Sequence, residues 1–181
     1  IALSTGWNVI GGFAGQVSLG HSAFFGIGAY ATAMIWLAGY PPLIGILLGT
    51  VLASGFSLLL IPTFRLRGIY FAIGTIFLNE VIKQVFLNWS YVGGGIGLYL
   101  PVPKVFILEP FYYTALTLAL ITIFGAYVIS NSWIGLTLNA IREDDTAASV
   151  LGVKVLRYKV FSLVVSAAFF AAAGGVHASY L

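Results

Sequence analysis

A chain of 181 residues that is 60% hydrophobic and 7% charged, with a mean hydropathy of +1.04, carries far less charge than the roughly 25% of an ordinary soluble domain. A soluble fold is excluded, and most of the exterior must face lipid or other apolar protein. The net charge of +3 is too thin for nucleic-acid binding, and the absence of Cys excludes a disulfide scaffold, haem attachment and thiolate metal sites.

The first apolar run, 1–14, has neither a basic leader nor an initiator Met before it, so the chain is expected to be an internal piece of a longer membrane protein. That run is short for a span, which needs about 20 residues. Gly15-Gln16-Val17-Ser18-Leu19-Gly20-His21 then separates it from the next apolar run and reads as a broken or re-entrant element. Spans are predicted over 23–38, closed by Gly39-Tyr40-Pro41-Pro42; over 43–64, closed by Arg65-Leu66-Arg67-Gly68; over 69–87; over 111–129; and from Val160 to the end. A Gly-rich and Pro-containing loop fills 88–110, and a polar stretch fills 130–159. The prediction is an all-α, polytopic bundle of about five to six membrane segments, forming one domain over 1–181.

Each span reverses direction, which puts 65–68 and 130–159 on one side and 39–42 and 88–110 on the other. The first side holds Arg65, Arg67, Arg142, Lys154, Arg157 and Lys159, six of the eight basic residues, so it is expected to be cytoplasmic. Trp36, Tyr40, Trp89, Tyr91, Tyr112 and Tyr113 fall at the outer interface, and Tyr70, Trp133 and Tyr158 near the inner one.

Within the spans, Glu80 lies eleven residues after Ile69, about 16 Å along a helix and so at mid-membrane. It reaches Lys83 at i+3 and Gln84 at i+4, which fits either a self-satisfied pair at a subunit interface or a position beside a translocation path. Two readings of the 15–21 segment stand open. One is close helix packing; the other is a break whose backbone groups, with Gln16, Ser18 and His21, meet a zwitterionic substrate. Nucleophilic catalysis by Ser18 with His21 or His177 lacks the elbow spacing and an orienting acid, so no catalytic residue is assigned. Gly45 and Gly49, and Ala167, Ala171 and Gly175, fit helix–helix contacts. Asn88-Trp89-Ser90 has the form of a glycosylation acceptor. Gly93-Gly94-Gly95-Ile96-Gly97 lacks the Lys of a phosphate loop, and no such loop occurs anywhere, so the chain cannot cradle ATP and any energy must come from outside it. No metal or cofactor site is expected.

The 130–159 stretch concentrates seven of the thirteen charged residues. Read as one helix over 139–152, its apolar residues Ala140, Ile141, Ala147, Ala148 and Leu151 share an arc, but Asp144 falls in the middle of it. The alternative is a cap: Asp144 or Asp145 would start a short helix over 146–151 that Gly152 closes.

The run from Gly135 to Lys159, centred on Asn139-Ala140-Ile141-Arg142-Glu143-Asp144-Asp145-Thr146-Ala147-Ala148, resembles the cytoplasmic coupling loop of ABC importer permeases. More narrowly it is similar to the branched-chain amino acid (Leu/Ile/Val) permease family, in particular its larger, M-type subunit. Gly15 to His21 followed by Phe24-Phe25-Gly26-Ile27-Gly28-Ala29-Tyr30 agrees with that family, as does Leu66-Arg67-Gly68-Ile69-Tyr70-Phe71-Ala72-Ile73. Two departures stand: Thr146 occupies the Glu position of the general Glu-Ala-Ala pattern, and the later Ile-x-Leu-Pro is absent. The resemblance implies a multi-pass permease of the inner membrane that moves branched-chain or other aliphatic amino acids, with urea or short amides, or an ATP-independent channel or carrier, as alternatives. It also implies cytoplasmic ATPase subunits that grip 139–152 (Ala140 to Asp145, Ala147, Ala148, Leu151 and Gly152), a second permease subunit and an extracytoplasmic solute-binding protein.

Overall fold

The computed structural model describes residues 1–66, 68–98, 100 and 108–180. Every element among them is helical. In chain order these are α1 (Ala2–Asn8), running on as a π-helical turn over Val9–Phe13; α2 (His21–Leu37); α3 (Pro42–Ser57), tightening into a 3-10 helix over Leu58–Arg65; α4 (Ile69–Asn88); α5 (Leu108–Ser130); α6 (Trp133–Glu143); α7 (Asp145–Val150); and α8 (Val155–Tyr180). Four of these stretches are long and apolar enough to cross a bilayer: Pro42–Arg65, Ile69–Asn88, Glu109–Ser130 and Val155–Tyr180. The protein is an all-α helical membrane bundle.

The helix boundaries have local causes. Gly39 at φ +86° turns the chain after α2, and Pro42 opens α3 at its first position, where its missing N–H and fixed φ cost nothing. Further on, Pro62 removes a donor from the same helix, and the chain continues there with 3-10 hydrogen bonding. Ser132 caps α6, its hydroxyl accepting from the Gly135 N–H.

Helices α2, α3 and α8 form the core, and small residues let their backbones meet. A Cβ at Gly28 would collide with the Ala171 carbonyl, one at Gly174 with the Phe25 carbonyl, and one at Gly45 would lie 2.7 Å from the Thr32 Cα. In a membrane this close approach supplies the dispersion contact that hydrophobic burial cannot. Phe24, Ala53, Leu163, Ala167 and Ala171 fill the space between the three helices. The expected contacts of Gly45, Gly49, Ala167, Ala171 and Gly175 are all present in this core. By contrast, α4 and α5 present most of their surface outward.

The polar 130–159 stretch is largely helical. It contains α6, α7 and the first turn of α8, which starts five residues before Val160 and takes in Arg157, Tyr158 and Lys159. Polarity concealed the start of α8, because Lys159 is buried against the bundle instead of being solvated. Arg67 and all of 101–107, including Val102 and Lys104, fall outside the described residues.

Candidate functional site

Two features give the chain chemistry: an unwound segment within the bundle, and a pair of short helices, α6 and α7, rich in charged residues.

The unwound segment is Gly15 to Gly20, non-helical backbone between the π-helical turn and α2. At its lower end Gly15 turns at φ +66°. At its upper end His21 meets Ser166, on α8, so α2 begins inside the bundle and not at its edge. Non-helical backbone at this depth persists only where its polar groups find partners. Here they do. The Trp7 indole Nε1 donates to the Ser18 carbonyl at 2.8 Å, the Leu19 N–H donates to Thr75 Oγ1 at 3.1 Å, and the Gln16 N–H donates to the Ile10 carbonyl at 3.0 Å. Thr75 in turn donates to the Ala72 carbonyl on its own helix α4.

The sequence singled out Gln16, Ser18 and His21 in this segment, and the three occupy different surroundings. The side chains of Ser18 and His21 are buried within the bundle; Gln16 is half-buried at its lower end. Ser166 Oγ lies 2.7 Å from the Gly6 carbonyl and 2.8 Å from His21 Nε2, so it joins α1 to the first residue of α2. The hydroxyl beside His21 is therefore that of Ser166, not Ser18. Trp7, Thr75 and Ser166 were missed in the sequence because each reads as an ordinary residue of an apolar run. Only their partners, 11, 56 and 145 residues away, give them a role.

On α4, Lys83 Nζ lies 3.2 Å from Glu80 Oε1, and the Gln84 amide donates to the same oxygen at 3.4 Å, as their spacing predicts. Both charged side chains are more than half exposed on the outward face of the helix. Beside them the Ser22 hydroxyl donates to Asn79 Oδ1 at 2.9 Å, and Ser22, Asn79, Lys83 and Tyr30 line one cleft. A polar face thus runs along α4, a helix long and apolar enough to cross a bilayer.

In the second feature, a single helix over 139–152 does not form. Asp144 leaves the helical region at φ −157° and ψ 109°, ending α6 and capping α7. Its Oδ1 accepts from the N–H groups of Thr146 at 2.8 Å and Ala147 at 3.0 Å. The carboxylate that spoiled the one-helix pattern is the cap of a second helix. Gly152 at φ +86° closes that helix. The break also changes which residues face out. Ile141 and Ala148 are buried at 3% and 4% exposure against the chain itself, whereas Val150 and Leu151 stand 83% and 85% exposed. Ala140, Arg142, Glu143 and Ala147 are also on the surface. Of the apolar arc Ala140, Ile141, Ala147, Ala148 and Leu151, Ile141 and Ala148 are thus buried in the chain's own packing and anchor the two helices, whereas Ala140, Ala147 and Leu151, with Val150, are presented outward. Asp145 accepts a 2.8 Å ion-paired hydrogen bond from Lys159 on α8. A polar cleft of about 280 Å³ lies between this junction and the unwound segment, lined by Gly15, Gln16, Arg142, Asp144, Asp145 and Lys159 among others.

The model of the family described as branched-chain amino acid transport system / permease component matches residues 1–181. The chain belongs to this permease family. Among curated proteins, the high-affinity branched-chain amino acid transport system permease protein LivM of Salmonella typhimurium strain LT2 is 30% identical over 212 residues, and that of Escherichia coli strain K12 is 30% identical over 217. Each alignment covers 99% of this chain and 50% of the relative, so the chain spans about half the length of the curated relatives it matches. No solved structure gives a significant match. The permease is a multi-pass protein of the inner membrane, and its two unusual features, the broken segment and the capped helix pair, coincide with motifs by which its sequence resembles the family.

Proposed function

We propose that this chain is the membrane-spanning part of an ABC importer subunit that admits branched-chain or other aliphatic amino acids. ATPase subunits bound at α6 and α7 would drive it, a second permease subunit would pair with it, and an extracytoplasmic binding protein would deliver the solute. The observation that carries this reading is α7: a six-residue helix, capped by Asp144 and anchored by Ala148, that holds two large apolar side chains, Val150 and Leu151, almost fully exposed. Apolar residues displayed on a rigid helix in an aqueous setting mark a protein contact. In the sequence, 65–68 and 130–159 hold six of the eight basic residues, which supports assigning that side to the cytoplasm. The relatives, permeases of high-affinity branched-chain amino acid transport systems, support the substrate class.

The same reading assigns the outward polar face of α4 to the translocation path or to the second permease subunit. Glu80, Lys83 and Gln84 at membrane depth then face water or protein instead of lipid. Gln16 borders the lower end of the unwound segment. Ser18 and His21 hold that segment in shape from within.

The test is purification of the whole permease with its bound partners. A co-purifying P-loop ATPase is the expected result. Leu151→Arg should abolish that association while the permease inserts and folds normally, because Leu151 touches little of its own chain. Full uptake with no ATPase present, or an ATPase retained by Leu151→Arg together with full uptake, would overturn the assignment.

A further inference from the structure

Resting on the reading that α6 and α7 receive the ATPase, we propose that Arg142 is the positioning residue through which movement of that helix pair reaches the unwound segment. Arg142 Nη1 donates to the Gly12 carbonyl at 3.0 Å, 130 residues away in sequence. Gly12 lies at the end of the π-helical turn, where carbonyls lack partners within the helix. The stem of the same side chain packs on Gly15, where a Cβ would lie 2.6 Å from Arg142 Cγ. Arg142 therefore pulls on one side of the turn and presses on the other. A displacement of α6 must either break the bond to Gly12 or move Gly15.

The two ends of this contact differ in freedom. Asp145 is tied to the buried Lys159 of α8, the most enclosed of the membrane-crossing helices, so α8 serves as the fixed point. Asp144, between Arg142 and Asp145, is the joint at which the backbone leaves one helix and enters the next. Beyond Gly15 the non-helical backbone is bonded to Trp7 at Ser18 and to Thr75 at Leu19. Thr75 is on α4, the helix that carries Glu80 and Lys83. Arg142, two residues before the joint at Asp144, touches Gly12 and Gly15, and four residues of chain lead from Gly15 to Leu19, whose N–H is bonded to Thr75; covalent chain and contacts together give a displacement a path between the two features.

Leu19 offers the readout, since its side chain is 53% exposed on the unwound segment and the 181 residues contain no Cys. In the assembled transporter, a maleimide should react with Leu19→Cys at rates that differ several-fold with and without ATP. Arg142→Gln should reduce that difference to less than twofold and abolish uptake, while the ATPase stays bound and hydrolyses ATP. Arg142→Lys, which keeps one charged donor for the Gly12 carbonyl, should restore part of it. If Arg142→Gln releases the ATPase, Gly15→Ala decides instead. It disturbs the same contact from the other side, and the expected result is again loss of the nucleotide-dependent difference. The proposal is overturned if the difference is absent in the unsubstituted background, or persists in Arg142→Gln with ATPase bound, or persists in Gly15→Ala. An unsubstituted permease that binds no ATPase would instead remove the reading on which the proposal rests.

Discussion

The Lys159 ammonium lies 2.8 Å from Asp145 Oδ2 and is itself 7% exposed, while the carboxylate is 31% exposed. The pair pins the first residue of α7 to the first turns of α8. Removing one partner of a largely buried pair leaves the other charge without compensation, at a cost of about 3 kcal/mol or more. Lys159→Met should therefore lower the thermal stability of the detergent-solubilised protein clearly, and Asp145→Asn combined with Lys159→Met should recover part of the loss. Equal stability of Lys159→Met and the parent would show that the pair contributes nothing.

Ala148→Arg should act on the permease and not on its partner. The position is 4% exposed inside the chain's own packing, and an unpaired guanidinium forced there costs several kcal/mol. Limited proteolysis should cut within 143–155 much faster in this variant, whereas Leu151→Arg should leave the cutting rate unchanged. Equal protection of the two variants would contradict the burial pattern.

Glu80→Gln should leave the fold nearly untouched. An exposed i,i+3 ion pair contributes about 0.3–0.5 kcal/mol, and both partners here are more than half exposed. A thermal midpoint within a degree or two of the parent, together with a large loss of uptake, is the expected combination for a residue on a path or a subunit contact. A stability loss equal to that of Lys159→Met would mean that the pair is buried after all.

Gly28→Leu should prevent the core from closing, since even a Cβ there meets the Ala171 carbonyl. Gly26→Leu, two residues along the same helix with nothing within 4 Å of its Cβ position, should express at the parental level. Fluorescence-detected size exclusion separates these outcomes, and equal peaks for both would refute the close packing of α2 on α8.

Much of this was legible in the residues, because a bilayer turns composition into length. Runs ended by Pro42, Arg65 and Asn88 delimited α3 with its 3-10 extension and α4 to within a residue or two. The Glu80, Lys83 and Gln84 contacts followed from helical spacing alone. What escaped was tertiary. Lys159 looked like a solvated loop residue until Asp145 came to meet it. Ala148 and Leu151 share an arc in projection, but α7 ends at Val150, so Ala148 turns inward on the helix while Leu151, at its C-cap, stands outward. The break at Asp144 was visible as an acid in an apolar arc. Its effect on direction was not, because periodicity carries no memory across a kink.

The backbone of 15–20 has a consequence for how the protein is made. The Ser18 carbonyl depends on an indole from α1 and the Leu19 amide on a hydroxyl from α4, and a peptide group left unpaired in hydrocarbon costs several kcal/mol. At the moment α2 leaves the ribosome, α4 has not yet been synthesised. The segment ahead of α2 must therefore wait in a hydrated setting, at the insertion machinery or the membrane surface, until Thr75 arrives. Biogenesis of this chain cannot proceed by releasing one finished helix after another into lipid; α1, the unwound stretch, α2 and α4 have to enter as a group.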